Sequence, residues 1–294
     1  MKNQVTYLMS GPAHLPYLVC SLYTLRQHYS GKVEVYAWPE SMELVERIGR
    51  DRRLAISFHE RHPKLRGRDD GIGGNGQFLD KIDLTMSLSC DFSLYLDADT
   101  TIHGPLDRLF EVAEKHGFCA TQFCGWKTNG GVVRKRLHDL YLVPEIPASY
   151  ITTITQTDYP SLNGGVWCAS PNSAVLPAWY EWTRMCGTQF IADEKVLHLM
   201  MIRQSLGVLM DHGKWNCSHK HISPNLKPED VVVWHYHGDS NVRVGKSPKA
   251  FDQWMDIYNT CINNNIGGLR EWRGECGNRY LKAAETEYFD WKVV

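Results

Sequence analysis

The chain has no long apolar run. No hydrophobic stretch approaches the roughly 20 residues that a membrane-spanning helix requires. A basic-then-apolar leader pattern is also missing, since Val5 to Met9 is strand-like and too short. The expectation is a cytoplasmic protein. Charge of one sign is lacking: the formal net charge is -1, which gives no overall drive toward nucleic acid or membrane. None of the nine cysteines forms a Cys-x-x-Cys pair. Cys119 and Cys124 are the closest two, and no second pair follows at zinc-finger spacing. Their scatter points to reduced, mostly buried thiols, with a zinc site on Cys119, Cys124 and a nearby histidine as the alternative. There is no internal repeat, low-complexity tract or clear linker. The glycine-rich stretch from Gly71 to Gly76 lacks the Gly-Lys-Ser/Thr ending of a phosphate loop.

What is present is a soluble globular composition, 43% hydrophobic and 22% charged over 294 residues. Residues 4–9 read as a strand, 15–29 as an amphipathic helix closed by Gly31, 32–37 as a strand, 41–50 as a helix and 53–58 as a third strand. This alternation predicts an α/β fold with a mostly parallel central sheet and helices on both faces. Residues 59–76, rich in Arg, Lys, Asp and Gly, read as a surface loop, or as a lid that orders on a ligand. Helices are expected over 77–89, 106–115, 174–186 and 194–205, and strands over 92–96, 118–123, 165–169 and 231–234. Toward the chain's end, Phe251, Trp254, Ile257 and Tyr258 carry helical spacing.

The most informative segment is Phe92 to Phe110. Its apolar run ends at Asp97 and Asp99, separated by Ala98. A strand interior would not hold two unpartnered charges, so the pair belongs at the strand's carboxyl end, where open α/β sheets bind ligands. Residues i and i+2 of an extended segment point the same way. Two carboxylates on one side of a strand end make a hard-oxygen site for a divalent cation.

These residues resemble retaining glycosyltransferases of the glycogenin and bacterial galactosyltransferase type (family 8), which have the GT-A fold. The resemblance rests on six pieces in order: Lys81; the strand, Asp97-Ala98-Asp99 and a helix ending in Leu109-Phe110; Asn163-Gly164-Gly165-Val166; Asp193-Glu194 opening an apolar helix; Trp215-Asn216; and His235-x-x-Gly238. It spans residues 4–245 and implies a catalytic domain over 1–245, with a helical extension over 246–294 packed on it. Three departures stand out. Asn241 occupies the family's lysine position, leaving Arg243 and Lys246 as the nearest cations; Glu194 replaces a common glutamine; and His237 is an additional imidazole.

The resemblance implies transfer of a hexose, glucose or galactose, from a UDP-sugar to an acceptor hydroxyl with retained anomeric configuration. Asp97, Asp99 and His235 would hold Mn²⁺ (or Mg²⁺), oxygen ligands plus one imidazole suiting a hard ion. Asp97 would also reach the ribose. Lys81 would contact donor phosphate or sugar, and Arg243 and Lys246 would close over the diphosphate beside Gly238. Asn163, Gly164, Gly165, Asp193 and Glu194 would line the sugar, with Asp193 as nucleophile, cation stabiliser or plain hydroxyl acceptor. The base would lie near Thr6, Tyr7, Leu8 and Ser10, with Tyr7 or Tyr17 stacking on uracil.

The acceptor is expected to be a saccharide or glycan. The alternative is a hydroxylated nucleic-acid base, because Arg61 to Arg68 and Arg134-Lys135-Arg136 are short basic runs. A further alternative is a metal-dependent phosphohydrolase or nucleotidyltransferase, which would want additional carboxylates for a second ion.

Overall fold

Strands that alternate with helices build the first half. Strand β1 (Asn3–Met9) leads through helix α1 (Leu15–His28) to β2 (Lys32–Ala37), then through α2 (Met42–Gly49) to β3 (Ser57–Glu60). Next come α3 (Gly76–Met86), β4 (Phe92–Leu96), β5 (Thr100–Ile102), α4 (Asp107–His116) and β6 (Phe118–Lys127). Helices α5 (Gly131–His138) and α6 (Ala148–Gln156) precede β7 (Pro160–Ala169), which is followed by α7 (Val175–Met185) and α8 (Ala192–Arg203). The short strands β8 (Gly207–Leu209), β9 (Cys217–Ser218) and β10 (Val233–His235) precede α9 (Pro248–Asn263) and α10 (Leu269–Glu275). The computed structural model describes residues 2–66, 70–72, 75–189, 191–204, 206–218, 220–237 and 248–275. Among them, no helix is long and apolar enough to cross a membrane.

The main sheet has the order β3-β2-β1-β4-β7-β6-β8. Strands β3, β2, β1 and β4 run parallel, β8 runs parallel to β6, and β7 is antiparallel to both β4 and β6. The expected mostly parallel α/β sheet is therefore present, with β7 reversed inside it. Because β1 is central, both of its faces are covered. Val5, Tyr7 and Met9 pack with α1 and α9, whereas Leu8 joins Tyr95, Phe118, Trp167 and Trp179 on the other face. Helix α9 carries Trp254, Tyr258 and Cys261 into the first of these cores, and the Trp254 ring lies 5.0 Å from that of Tyr17.

A second, three-stranded sheet, β5-β10-β9, sets up the site. Strand β5 begins directly after Asp99, and β10 pairs antiparallel with it so that His235 faces Thr100. The Tyr236 N–H donates to the Asp99 carbonyl at 2.8 Å. Backbone register thus brings a distant imidazole beside the two acids.

One expectation is corrected. The third strand starts at Ser57 rather than Arg53, because Asp51 captures the Arg53 N–H and guanidinium at 2.7–3.0 Å and Leu54 N–H bonds the Asp51 carbonyl, closing a turn instead. The cysteines follow the expectation of buried thiols, and Cys119 and Cys124 join no group of three metal-ligating side chains among the described residues. The Cys119 side chain is wholly buried, Cys124 Sγ accepts the Ser218 N–H, and the described cysteines are free thiols.

Candidate active site

The site lies where β4, β7 and the second sheet meet. Among the described residues, one group of three metal-ligating side chains stands together: Asp97, Asp99 and His235, with ligand atoms within 4.8 Å of one another. His235 Nε2 is 3.2 Å from Asp99 Oδ1 and 3.7 Å from Asp97 Oδ2. An ion bound at about 2.1 Å holds adjacent ligands roughly 3 Å apart, so these spacings fit a divalent cation of that size. The chemistry fits as well, with two carboxylates and one imidazole, both acids about one-quarter exposed and the imidazole buried. The residues present can hold the ion that the sequence implies.

Charge is divided unequally across the set. Burial pushes the Asp97 carboxyl up and Lys81 only partly counters it, while Asp99 adds to the rise. Burial would also raise Asp99, but the adjoining His235 holds it well below the usual carboxylate range. For His235 itself, burial favours the neutral ring, yet Asp99 and Asp97 raise it above its ordinary value. His237, and after it His14, also favour the ionised form of Asp99.

Close approach requires glycine here. A Cβ on Gly165 would overlap His235 Cε1 and lie 2.7 Å from Asp97 Oδ2, and one on Gly164 would lie 2.5 Å from Asp193 Oδ2. The Gly165 carbonyl accepts the Asp97 N–H at 2.8 Å, so β7 both supports the acid and makes room for it.

Beside the acids sits Lys81, from α3, with its ammonium closed to solvent. Nζ lies 2.9 Å from Asp193 Oδ2 and 3.9 Å from Asp97 Oδ1, and it donates to the Gly164 carbonyl at 2.8 Å. Burial would lower its pKa, but Asp193 and Asp97 raise it further, so it stays an ammonium ion. Indoles fix the surrounding backbone. Trp167 Nε1–H donates to Gly164 O at 3.1 Å, and Trp179 Nε1–H to Asp193 O at 2.8 Å.

On the far side of Asp193, Asn163 Nδ2–H donates to Glu194 Oε2 at 2.9 Å, and Arg136 Nη1–H donates to Glu194 Oε1 at 3.1 Å. Burial raises the Glu194 pKa despite Arg136. Arg136 belongs to one of the basic runs, so one of its three charges is committed to Glu194. In the other run, Arg61 bonds Asp80 and Asp83, Lys64 bonds Asp83, and Arg66 pairs with Glu40.

The base-side residues are placed differently from expectation. The Tyr7 ring is wholly in the core with its hydroxyl on Ser21, and Tyr17 is nearly buried against Trp254, so neither can stack on a base. Central strands bury both faces, and this overrides the exposure that an aromatic near a strand end suggests. The Thr6 hydroxyl is buried on Ser93, Leu8 lies in the core, and Ser10 Oγ–H donates to Gln77. Gly238, Arg243 and Lys246 lie outside the described residues. So do parts of the glycine-rich loop, although Asn75 at its end is pinned by donation to Gly187 O and Gln189 O at 2.6 and 2.8 Å.

Sequence reasoning passed over His14, placed Arg136 only in a basic run, and gave Asn216 no role. Asn216 follows a tight turn in which Asp211, His212 and Gly213 all have positive φ. A Cβ on Gly213 would lie 2.6 Å from Cys124 N, so only glycine lets this turn reach β6. Against the same segment, Phe123, Trp126, His221 and His237 form an aromatic shelf. The Trp126 and His221 rings are 4.9 Å apart, and Phe123 stands 4.9 Å from His237.

Solved structures share this fold. The galactosyltransferase LgtC, in complex with donor and acceptor sugar analogues, superposes with a TM-score of 0.55 at 15% identity, covering 87% of this chain and 95% of that one. An active-site variant of LgtC gives 0.59 at the same identity and coverage. Mouse xyloside xylosyltransferase 1, in its apo form, gives 0.54 at 10% identity, over 81% of this chain and 99% of that one. No protein-family model and no curated protein matches the sequence. The chain adopts the GT-A fold of glycosyltransferases, with a carboxylate and imidazole cluster at the carboxyl edge of its sheet.

Proposed function

We propose that this protein is a metal-dependent retaining glycosyltransferase that moves a hexose from a UDP-sugar to a saccharide hydroxyl. The observation that carries the reading is the convergence of Asp97, Asp99 and His235 beside the buried Lys81–Asp193 pair, on a GT-A scaffold. When bound, a divalent ion such as Mn²⁺ supplies Lewis-acid stabilisation of the departing diphosphate. Asp97, Asp99 and His235 would hold that ion. Lys81 adds fixed positive charge in a water-poor setting, where preorganised charge acts most strongly.

Asp193 is read as a hydroxyl acceptor. Its Oδ2 already faces the Lys81 ammonium, which withdraws electron density and weakens it as a nucleophile. Its remaining lone pairs, with Asn163 and Glu194, suit sugar hydroxyls. In the transfer, the bond between the anomeric carbon and the diphosphate oxygen breaks and its electron pair leaves on the diphosphate. The acceptor oxygen bonds that carbon on the same face, and its proton passes to the diphosphate oxygen. Gly238, Arg243 and Lys246 are proposed to close over the diphosphate, and the backbone near Thr6, Tyr7, Leu8 and Ser10 to border the base.

A saccharide acceptor is favoured by the aromatic shelf of Trp126 and His221, since ring faces suit the C–H surface of a pyranose. The nucleic-acid alternative loses support because Arg61, Lys64, Arg66 and Arg136 all have acidic partners. The phosphohydrolase alternative finds no second ligand cluster among the described residues. The test is a panel of UDP-sugars with Mn²⁺, UDP being detected by mass and the product anomer by NMR. UDP release with retained configuration is expected. No release from any donor, or an inverted product, would overturn the proposal.

A further inference from the structure

We propose that Asn216 is the positioning residue that makes His235 a metal ligand, by fixing which ring nitrogen carries the proton. The inference rests on the glycosyltransferase reading above. Asn216 is completely buried, and its Oδ1 lies 2.9 Å from His235 Nδ1. The amide could sit either way round, and so could the imidazole tautomer, if this contact stood alone. It does not stand alone, because obligatory groups fix each link of a chain.

The Gly165 N–H can only donate, and at 2.8 Å it donates to Asn163 Oδ1. Asn163 therefore turns its Nδ2 to Glu194 Oε2, an acceptor. The same Asn163 Oδ1 faces the Asn216 amide at 3.5 Å, so Asn216 must present Nδ2 there. Thr121 gives the same answer independently. Its hydroxyl donates to the Val166 carbonyl at 2.8 Å, which leaves Oγ1 to accept from Asn216 Nδ2 at 3.1 Å. Two separate backbone groups, one donor and one acceptor, thus demand one orientation of Asn216. Its Oδ1 is left facing His235, where it can only accept, so His235 Nδ1 carries a hydrogen. In the neutral ring the lone pair that an ion would use is then on Nε2, the nitrogen that faces Asp99 and Asp97. Metal-ligating histidines commonly have their other nitrogen held by an outer partner, and losing such a partner weakens metal affinity about 10–100-fold.

A merely structural asparagine would fill space and satisfy its own amide. The positioning role makes a different demand, because acceptance from Nδ1–H is the property that matters. Asn216→Asp keeps that acceptor and gives up the two donations; Asn216→Leu gives up everything. The probe is Mn²⁺ alone, followed by EPR for affinity and by electron spin-echo modulation for coordinated imidazole nitrogen, with folding checked by circular dichroism. Wild-type protein is expected to show nitrogen modulation that disappears in His235→Ala. Asn216→Leu is expected to lose the modulation and bind Mn²⁺ about 10–100-fold more weakly, whereas Asn216→Asp retains the modulation. Unaltered modulation and affinity in Asn216→Leu would overturn the proposal. Loss of modulation in a folded Asn216→Asp would do so as well, even if the leucine variant does not fold. Wild-type protein lacking nitrogen modulation would count first against His235 as a ligand, and so against the functional reading beneath this one.

Discussion

Lys81 and Asp193 form a closed ion pair, Nζ to Oδ2 at 2.9 Å, with side-chain exposures of 3% and 4%. The lysine comes from α3 and the aspartate from the first turn of α8, and the pair sits between the Asp97–Asp99–His235 cluster and the Asn163–Glu194 contact. Each residue stands next to a second role: Lys81 toward Asp97, and Asp193 toward Asn163 through Glu194.

Removing one partner of this pair leaves an uncompensated buried charge. Lys81→Met is expected to destabilise the fold by about 3–5 kcal/mol, measured by urea denaturation. Adding Asp193→Leu to Lys81→Met should recover part of that loss without restoring UDP-sugar turnover. A double variant no more stable than Lys81→Met would show that the two charges are not coupled.

The Gly165 position predicts a local effect. Gly165→Ala drives a methyl group into His235 and Asp97. Mn²⁺ affinity should fall by about tenfold or more, read by EPR titration. Unchanged affinity would mean that the ion does not sit between those side chains.

His198 gives a pH dependence. Its Nδ1–H donates to the Glu194 carbonyl at 2.6 Å and its Nε2 accepts the Leu162 N–H at 2.9 Å, so both nitrogens are used in the neutral ring. Burial depresses its pKa from 6.5 to about 4. The unfolded chain therefore binds the proton first as pH falls. Stability from this group is complete above pH 6.5 and is lost progressively toward pH 4, by an amount on the order of 3 kcal/mol. Urea midpoints across that range should drop, and the drop should be smaller in His198→Gln. Equal slopes in both proteins would remove His198 as the cause.

The aromatic shelf predicts a split in kinetics. Trp126→Ala should raise the KM for a saccharide acceptor by roughly threefold to tenfold and leave hydrolysis of the UDP-sugar unchanged. Steady-state assays with and without acceptor measure both quantities. An equal fall in both rates would place Trp126 on the donor side instead.

Several of these features are legible in the sequence and others are not, for definite reasons. Asp97 and Asp99 can be read because the apolar run before them marks the strand's end; they stand in the turn between β4 and β5, where the Thr100 N–H bonds the Asp97 carbonyl, rather than on an extended strand. His235 is reached only through resemblance, because the β5–β10 pairing that delivers it joins residues 135 positions apart, Thr100 and His235. The Lys81–Asp193 pair is invisible because no periodicity links α3 to α8. Asn216 stands in a matched motif, yet its task depends on the Gly165 N–H and Val166 carbonyl of another strand. Tyr7 misleads because an aromatic at a strand end reads as available, whereas a central strand covered on both faces leaves it none. Arg61 and Lys64 read as a basic run because Asp80 and Asp83, which bind them, lie on a helix beyond the loop.

The most direct test of the account is UDP release from a UDP-hexose in the presence of Mn²⁺, compared between wild-type protein and Asp99→Asn. The account predicts release by the wild type that stops with a chelator and falls by at least about a hundredfold in the variant. Equal release by Asp99→Asn, or release undiminished by the chelator, would contradict it.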